Sequence, residues 1–216
     1  MVPSRKLLAA IAVAAVIAGI TVPALALNFP LSSTAIRDAY FIGNRNDEQT
    51  ADFLAQYAHQ LKAPKTGPYV QDVAIETPFT QVVRQAQRNS NYNAPDAVEE
   101  FQHKRLNLYV DIQIALTPSY SPVPEPASEF YQWVPDFWND FKVRLIQGKN
   151  EIPARRFRGG PLFAYPGDMG ETPIVTGAKI EVEYDPEKVQ ADLTTVRVLT
   201  PDGQEIETTF DLGKLR

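Results

Sequence analysis

The segment Leu106–Leu116, LNLYVDIQIAL, carries the clearest structural pattern in the chain. Every second residue is a large aliphatic one, and the residues between them are polar, aromatic or small. Such alternation is typical of a β-strand that buries one face. The buried positions are predicted to be Leu106, Leu108, Val110, Ile112, Ile114 and Leu116. Because burying a large aliphatic side chain contributes roughly 1.5 to 3 kcal/mol, we expect this strand at the centre of the core.

The C-terminal end of the chain predicts a β-hairpin. Thr194–Thr200 and Gln204–Leu212 flank Pro201-Asp202-Gly203, which favours a type I turn followed by a glycine with positive φ. The turn predicts a register in which Thr200 faces Gln204, Val198 faces Ile206, Arg197 faces Glu207 and Val196 faces Thr208. This register places apolar residues on one side and an opposite-charge pair on the other. A further half-exposed strand is predicted at Ile180–Tyr184.

The segment from Leu27 to Arg105 is predicted to be mostly helical. The expected helix starts, judged from capping residues, are at Ser33 or Thr34, Asn46 or Asp47, Thr77 with Pro78, and Asn93. The second helix is expected to carry Phe53, Leu54, Tyr57 and Leu61, and a strand is predicted through Val70, Val73 and Ile75.

These elements predict an α+β fold, with the N-terminal helices packed on a largely antiparallel sheet. That sheet would contain the Leu106–Leu116 strand and the C-terminal strands, and the alternative is a β-sandwich with the helices as an appendage. Residues 27–216 are expected to form a single domain with a proline-rich crossing at 117–128. Residues 151–177, rich in glycine and proline, are expected to form loops with short strands.

The first 26 residues have the pattern of a signal peptide. Arg5 and Lys6 precede an uncharged apolar run, and Ala24-Leu25-Ala26 provides the small residues of a cleavage site. The alternative is a retained N-terminal membrane anchor, since the 21 uncharged residues Leu7–Leu27 are long enough to cross a bilayer. We expect cleavage, export to the periplasm or the cell exterior, and no membrane insertion afterwards.

Composition argues against several classes of function. The formal net charge is −5, and removal of residues 1–26 leaves 19 Lys and Arg against 26 Asp and Glu. An acidic chain of this kind is a poor general partner for nucleic acid. The absence of cysteine excludes disulfides, zinc-thiolate sites and a thiol nucleophile.

Sequence motifs for catalysis or cofactor binding are absent. The chain contains no HExxH, GxSxG, GxGxxG or P-loop motif, and its two histidines, His59 and His103, lie on different predicted helices. We therefore expect no metal and no cofactor, assign no catalytic residue, and favour a protein that is not an enzyme.

An aromatic block between Phe130 and Phe141 is the main candidate for binding, with six rings in twelve residues. In one interpretation Phe137, Trp138 and Phe141 cover the sheet as part of the core. In the other, exposed tryptophans form a platform for a glycan, a peptide or another subunit. The candidate ligand-binding residues are Trp133, Phe137 and Trp138, with Arg155 and Arg156 as partners for a phosphate or carboxylate.

Two functional hypotheses follow from these observations. The preferred one is an exported, non-catalytic binding or assembly domain with a protein or glycan partner, its oligomeric state left open. The alternative is a small secreted hydrolase that acts on glycan or cell-wall material through carboxylates. Asp136 and Asp140, four residues apart beside aromatic side chains, are the acids that this alternative considers, although such acids are more often simply solvated.

Overall fold

The computed structural model describes residues 30–89, 91–104, 106–117, 136–164 and 174–215. These residues form four α-helices and nine β-strands, with 3-10 turns at Phe137–Asp140 and Pro186–Lys188. The predicted α+β class is confirmed. Of the predicted crossing at 117–128, all but Thr117 lies outside the described residues, as does the predicted signal segment.

The helices begin close to where the capping residues place them. They are α1 (Ser33–Arg45), α2 (Glu48–Ala55), α3 (Pro78–Arg88) and α4 (Ala94–His103). The side chains of Ser32, Asp47, Thr77 and Asn93 each accept a hydrogen bond from the backbone N–H three residues later. The last three caps were predicted, and the first lies one residue before the prediction. Within the described chain, no helix is long and apolar enough to cross a membrane.

The helices share an apolar cluster of their own. Its largest buried members are Leu31, Ile36, Tyr40, Phe79, Phe101 and Leu106. Helices α1 and α3 approach each other closely at Gly43, where an added Cβ would lie 2.9 Å from the Cβ of Ala86. Phe53 of α2 packs against both this cluster and the core of the strands, and so connects the helices to the rest of the fold.

The second helix is shorter than predicted and includes neither Tyr57 nor Leu61. Helix α2 ends at Ala55, and Ala58–Gln60 form a short strand, β1. The backbone N–H of Ile75 donates to Tyr57 O over 2.9 Å, and that of Leu61 donates to Gln71 O over 2.8 Å. The chain after Tyr57 therefore takes its backbone partners from the neighbouring strand.

The strands form two antiparallel sheets. Sheet A has the order β1-β2-β3-β7-β6, and sheet B has the order β5-β4-β8-β9. The strands of sheet A after β1 are β2 (Pro68–Glu76), β3 (Leu108–Leu116), β6 (Ala154–Ala164) and β7 (Ile174–Tyr184). Those of sheet B are β4 (Lys142–Gln147), β5 (Asn150–Ile152), β8 (Leu193–Leu199) and β9 (Glu205–Asp211).

The two sheets share one apolar core. The central strand β3 contributes four fully buried residues, Leu108, Val110, Ile112 and Ile114. Sheet B contributes the buried residues Leu145, Val196, Val198 and Phe210 to the same cluster. The predicted central strand is confirmed from Leu108 onward, whereas Leu106 precedes it and packs in the helical cluster, and Leu116 is half-buried. The C-terminal strands divide between the sheets: β7 pairs with β3, and the hairpin belongs to sheet B.

The predicted hairpin register is confirmed. In β8 and β9, Val196 lies opposite Thr208, Arg197 opposite Glu207 and Val198 opposite Ile206. Gly203 has a φ of 84°, which only glycine adopts readily in this turn. Arg197 Nη2 lies 2.6 Å from Glu207 Oε1 on the exposed side of the hairpin.

Residues 151–177 contain long strands where loops with short strands were expected. Strand β6 has 11 residues, and β7 begins at Ile174, while residues 165–173 lie outside the described part. The glycines misled the prediction, because Gly159 lies within the strand beneath the indole ring of Trp138. Pairing with β7 holds β6 as a strand, and the sequence of β6 alone gives no sign of this pairing.

Candidate functional site

The aromatic block contributes to the core where the structure describes it. Phe137 and Trp138 expose 8% and 7% of their surface, and Phe141 exposes 1%. The core interpretation of these three rings agrees with this burial. Trp133 lies outside the described residues, so ligand binding by the aromatic block stays a prediction.

The two candidate arginines lie on β6. Arg155 Nη2 is 3.2 Å from Asp185 Oδ2, and its Nη1 donates to Asn107 Oδ1 over 3.1 Å. Arg156 is exposed and lies opposite Glu183 of β7. These arginines face acidic or polar groups of the same chain, and neither comes close enough to Phe137 or Trp138 to make a cation–π contact among the described residues.

The carboxylates Asp136 and Asp140 are both exposed, at either end of the 3-10 turn. Neither of them lines the cleft on sheet A. The acids that do come together lie elsewhere, on the outer face of sheet A.

That outer face carries a cleft of about 520 Å³, which we call the charged cleft. Its acidic residues are Asp72 and Glu76 of β2, Asp111 of β3 and Glu181 of β7. Its basic residues are Arg84 and Arg88 of α3 and Lys179 of β7. The cleft thus combines both signs of charge at a volume typical of small-molecule sites.

Strand register builds the floor of the charged cleft. Asp111 of β3 pairs with Ala74 on one side and Glu181 on the other, so these side chains share one face of the sheet. Gln113 pairs in the same way with Asp72 and Lys179. These positions alternate with the buried aliphatic residues, which point into the core.

Helix α3 forms the wall of the charged cleft. Thr77 directly follows β2 and caps α3, with Pro78 at the first helical position, so the helix starts directly beside the sheet. Its apolar side packs among the other helices. Arg84 and Arg88 are one helical turn apart and therefore project together over the acids of β2.

Ion pairs neutralise part of the charged cleft. Lys179 Nζ lies 3.0 Å from Asp111 Oδ1, and Arg84 Nε lies 3.7 Å from Glu76 Oε1. Asp72 and Arg88, by contrast, have no ion-pair partner within 4.0 Å among the residues that the structure describes. The attraction of His59 and Arg84 for Asp72, and of Arg88 for Glu76, therefore acts over longer distances than an ion pair.

Burial changes the protonation of two cleft acids. Loss of hydration on burial is the main cause that raises the pKa of Asp72; the charges of His59 and Arg84 oppose the rise, and the negative charge of Asp111 adds to it. Burial also raises the pKa of Glu76 above its usual range, although the Arg84 guanidinium opposes this. Both acids therefore hold a proton to higher pH than an exposed carboxyl does.

Sequence reasoning missed the charged cleft because its residues are spread from position 72 to position 181. The available signal was the set of charged residues at exposed positions of predicted strands, such as Asp111 and Glu181. In a single sequence these look like ordinary solvated positions. Across the described parts of the chain, no group of three His, Asp or Glu side chains is arranged to hold a metal ion.

No protein-family model matches the chain. No match was found among curated proteins or among solved structures.

Proposed function

We propose that this chain is an exported, non-catalytic binding protein whose ligand occupies the charged cleft. The observation that supports this most is the presence in one cleft of two charges of opposite sign, Asp72 and Arg88, that form no ion pair within 4.0 Å among the described residues. Asp72 is half-buried, so its carboxylate is costly without an ion-pair partner, and a ligand ammonium group that pairs with it recovers that cost. Arg88 is exposed at the same cleft and is accessible to the anionic group of the ligand.

The proposed ligand is a small molecule with one cationic and one anionic group, such as a short peptide. Its ammonium group would bind the carboxylate of Asp72, and its carboxylate would bind the guanidinium of Arg88. Arginine suits a carboxylate because it donates two parallel hydrogen bonds. Export, which residues 1–26 predict, would expose the protein to such fragments at the cell wall.

The test is isothermal titration calorimetry of residues 27–216, which contain every described element, with a panel of di- and tripeptides. We expect Asp72→Asn and Arg88→Gln each to weaken binding by about 10- to 100-fold, the effect of losing a hydrogen bond to a charged group. The matched controls are Asp38→Asn and Arg37→Gln, because both residues are exposed on α1.

Blocking the charges of the peptide provides the complementary control. N-acetylation should remove the contribution of Asp72, so that Asp72→Asn has little further effect on binding of the acetylated peptide. Amidation of the C-terminus should do the same for Arg88→Gln. Peptide binding that survives both cleft substitutions would rule out the charged cleft as the site.

A hydrolase is the second candidate, and the raised pKa values of Asp72 and Glu76 beside Asp111 favour it. A glycosidase needs one protonated acid and one carboxylate near the scissile bond. The assay is release of reducing ends from cell-wall glycans. If Asp72→Asn or Glu76→Gln abolishes glycan hydrolysis and Asp136→Asn does not, the hydrolase proposal replaces the binding proposal.

A further inference from the structure

The terminal strands are β1 and β6 in sheet A and β5 and β9 in sheet B. Strands β1 and β5 have three residues each, whereas β6 has 11 and β9 has seven, so β6 and β9 offer the long outer edges without a partner strand among the described residues. Strand β6 follows β5 through the single residue Pro153, so it lies on the β5 side of the molecule. On the other side, the rings of His59 in β1 and Phe210 in β9 are 4.8 Å apart. The two free edges therefore lie on opposite sides of the molecule.

The free edge of β6 has a specific pattern of side chains. Arg156 and Arg158 lie on the outer face, and Phe157 between them is 42% exposed. On its occupied edge, β6 pairs with an acidic–apolar–acidic stretch of β7. The pairs are Arg156 with Glu183, Phe157 with Val182 and Arg158 with Glu181.

The free edge of β9 repeats that acidic–apolar–acidic stretch. Glu205, Ile206 and Glu207 have the same alternation as residues 181–183 of β7. Both glutamates are exposed, and Ile206 is half-buried against the core. The free edge of β9 therefore has the same charged and apolar pattern as the stretch of β7 that pairs with the occupied edge of β6.

We propose that β6 of one copy pairs with β9 of a second copy in the antiparallel register that β7 uses. Arg158 then faces Glu205 of the second copy, Phe157 faces Ile206, and Arg156 faces Glu207. The arginines and glutamates then meet on the outer faces of the two sheets, and Phe157 and Ile206 meet on the faces that point toward the core. Glu207 keeps Arg197 as its partner on the far side, since Arg197 lies on β8.

The expected assembly is open rather than closed. The two surfaces are different and lie on opposite sides of the molecule, so each added copy leaves one free β6 edge and one free β9 edge. Symmetric pairing of β6 with β6 about Phe157 would place Arg156 opposite Arg158, which like-charge repulsion disfavours. This inference concerns sheet edges and does not depend on the ligand of the charged cleft.

The first test is charge reversal, followed by sedimentation velocity of residues 27–216 over a concentration series at low salt. We expect Arg158→Glu and Glu205→Arg each to weaken self-association by about tenfold or more. The double variant Arg158→Glu/Glu205→Arg should restore it, because the pair is then reversed. Arg37→Glu, the same charge change on exposed α1, should leave association unchanged.

The second test traps the register with disulfides, since the chain has no cysteine of its own. Phe157→Cys mixed with Ile206→Cys, with glutathione disulfide as oxidant, should give a mixed covalent dimer. Leu193→Cys, which is also an exposed apolar position of sheet B, replaces Ile206→Cys as the control. Equal cross-linking of the control, covalent dimers of Phe157→Cys alone, or a monomer at all concentrations would each overturn the proposal.

Discussion

Replacement of Gly159 by alanine should destabilise the protein, although glycine has no conformational role there. Gly159 lies in β6 and does not have a positive φ, so alanine is compatible with its backbone. The obstacle is the indole ring of Trp138. An added Cβ would lie 2.6 Å from Trp138 Nε1 and closer still to Cδ1, well inside van der Waals contact.

The expected cost follows from the need to displace a large buried ring. Trp138 is 7% exposed and packs edge-to-face against Phe137, with the ring centres 5.5 Å apart. Overpacking a well-filled core costs roughly 1 to 3 kcal/mol. For a chain of this size, a loss of about 2 kcal/mol lowers Tm by roughly 4 to 8 °C.

The neighbouring glycine provides a matched control. A Cβ added at Gly160 would meet no atom within 4 Å. Gly160→Ala should therefore be neutral or stabilise by about 0.4 to 1 kcal/mol, because alanine restricts the unfolded chain. Urea unfolding of both variants, followed by far-UV circular dichroism, gives the difference between two adjacent positions of the same strand.

A double-mutant cycle identifies the contact. With Trp138→Leu as the background, the cost of Gly159→Ala should fall below about 1 kcal/mol, since the clashing ring atoms are gone. Equal free energies of unfolding for Gly159→Ala and Gly160→Ala would refute the reasoning. So would a cost of Gly159→Ala that is the same with and without the indole ring.

Three further predictions concern single side chains. The hydroxyl of Tyr184 is buried without a hydrogen-bond partner among the described residues, so Tyr184→Phe should raise the free energy of unfolding in urea by about 1 kcal/mol. Tyr40→Phe is the control and should lower it by a similar amount, because the Tyr40 hydroxyl donates a hydrogen bond to Tyr92 O over 2.9 Å. Thr77→Ala should lower the unfolding free energy by about 1 to 2 kcal/mol through loss of the α3 cap, and Thr77→Ser should retain most of it. Burial raises the pKa of the Asp72 carboxyl above 3.8, so the folded protein binds its proton more tightly than the unfolded chain does. Ionisation of this carboxyl therefore lowers the free energy of unfolding as pH rises above 3.8. Asp72→Asn should therefore raise the urea midpoint at neutral pH and reduce its decline with pH, and a steeper decline would contradict the burial argument.

Local sequence predicted the elements whose physical cause is local. Asp47, Thr77 and Asn93 cap helices because their side chains reach a backbone N–H three residues away, which requires no distant partner. The hairpin register follows from its turn, since Gly203 supplies the positive φ. The strand Leu108–Leu116 follows from its alternation alone.

Distant pairing decided the elements that sequence reasoning missed. Strand β1 exists because the backbone around Tyr57 finds hydrogen-bond partners on β2, which outweighs the helical spacing that predicted Tyr57 and Leu61 on the second helix. Strand β6 contains Gly159 and Gly160, which are typical of turns, and it is held as a strand by β7 and covered by Trp138.

The sequence by itself determined the fold class, the capped helices, the central strand and the hairpin, because periodicity, capping and turn geometry act within a few residues. Only the tertiary structure decided how the strands divide into two sheets and which charges meet. Asp72, Arg88, Asp111 and Lys179 converge in the charged cleft through strand register and the start of α3. Contacts between residues so far apart depend on how whole elements pack, and no single segment encodes them.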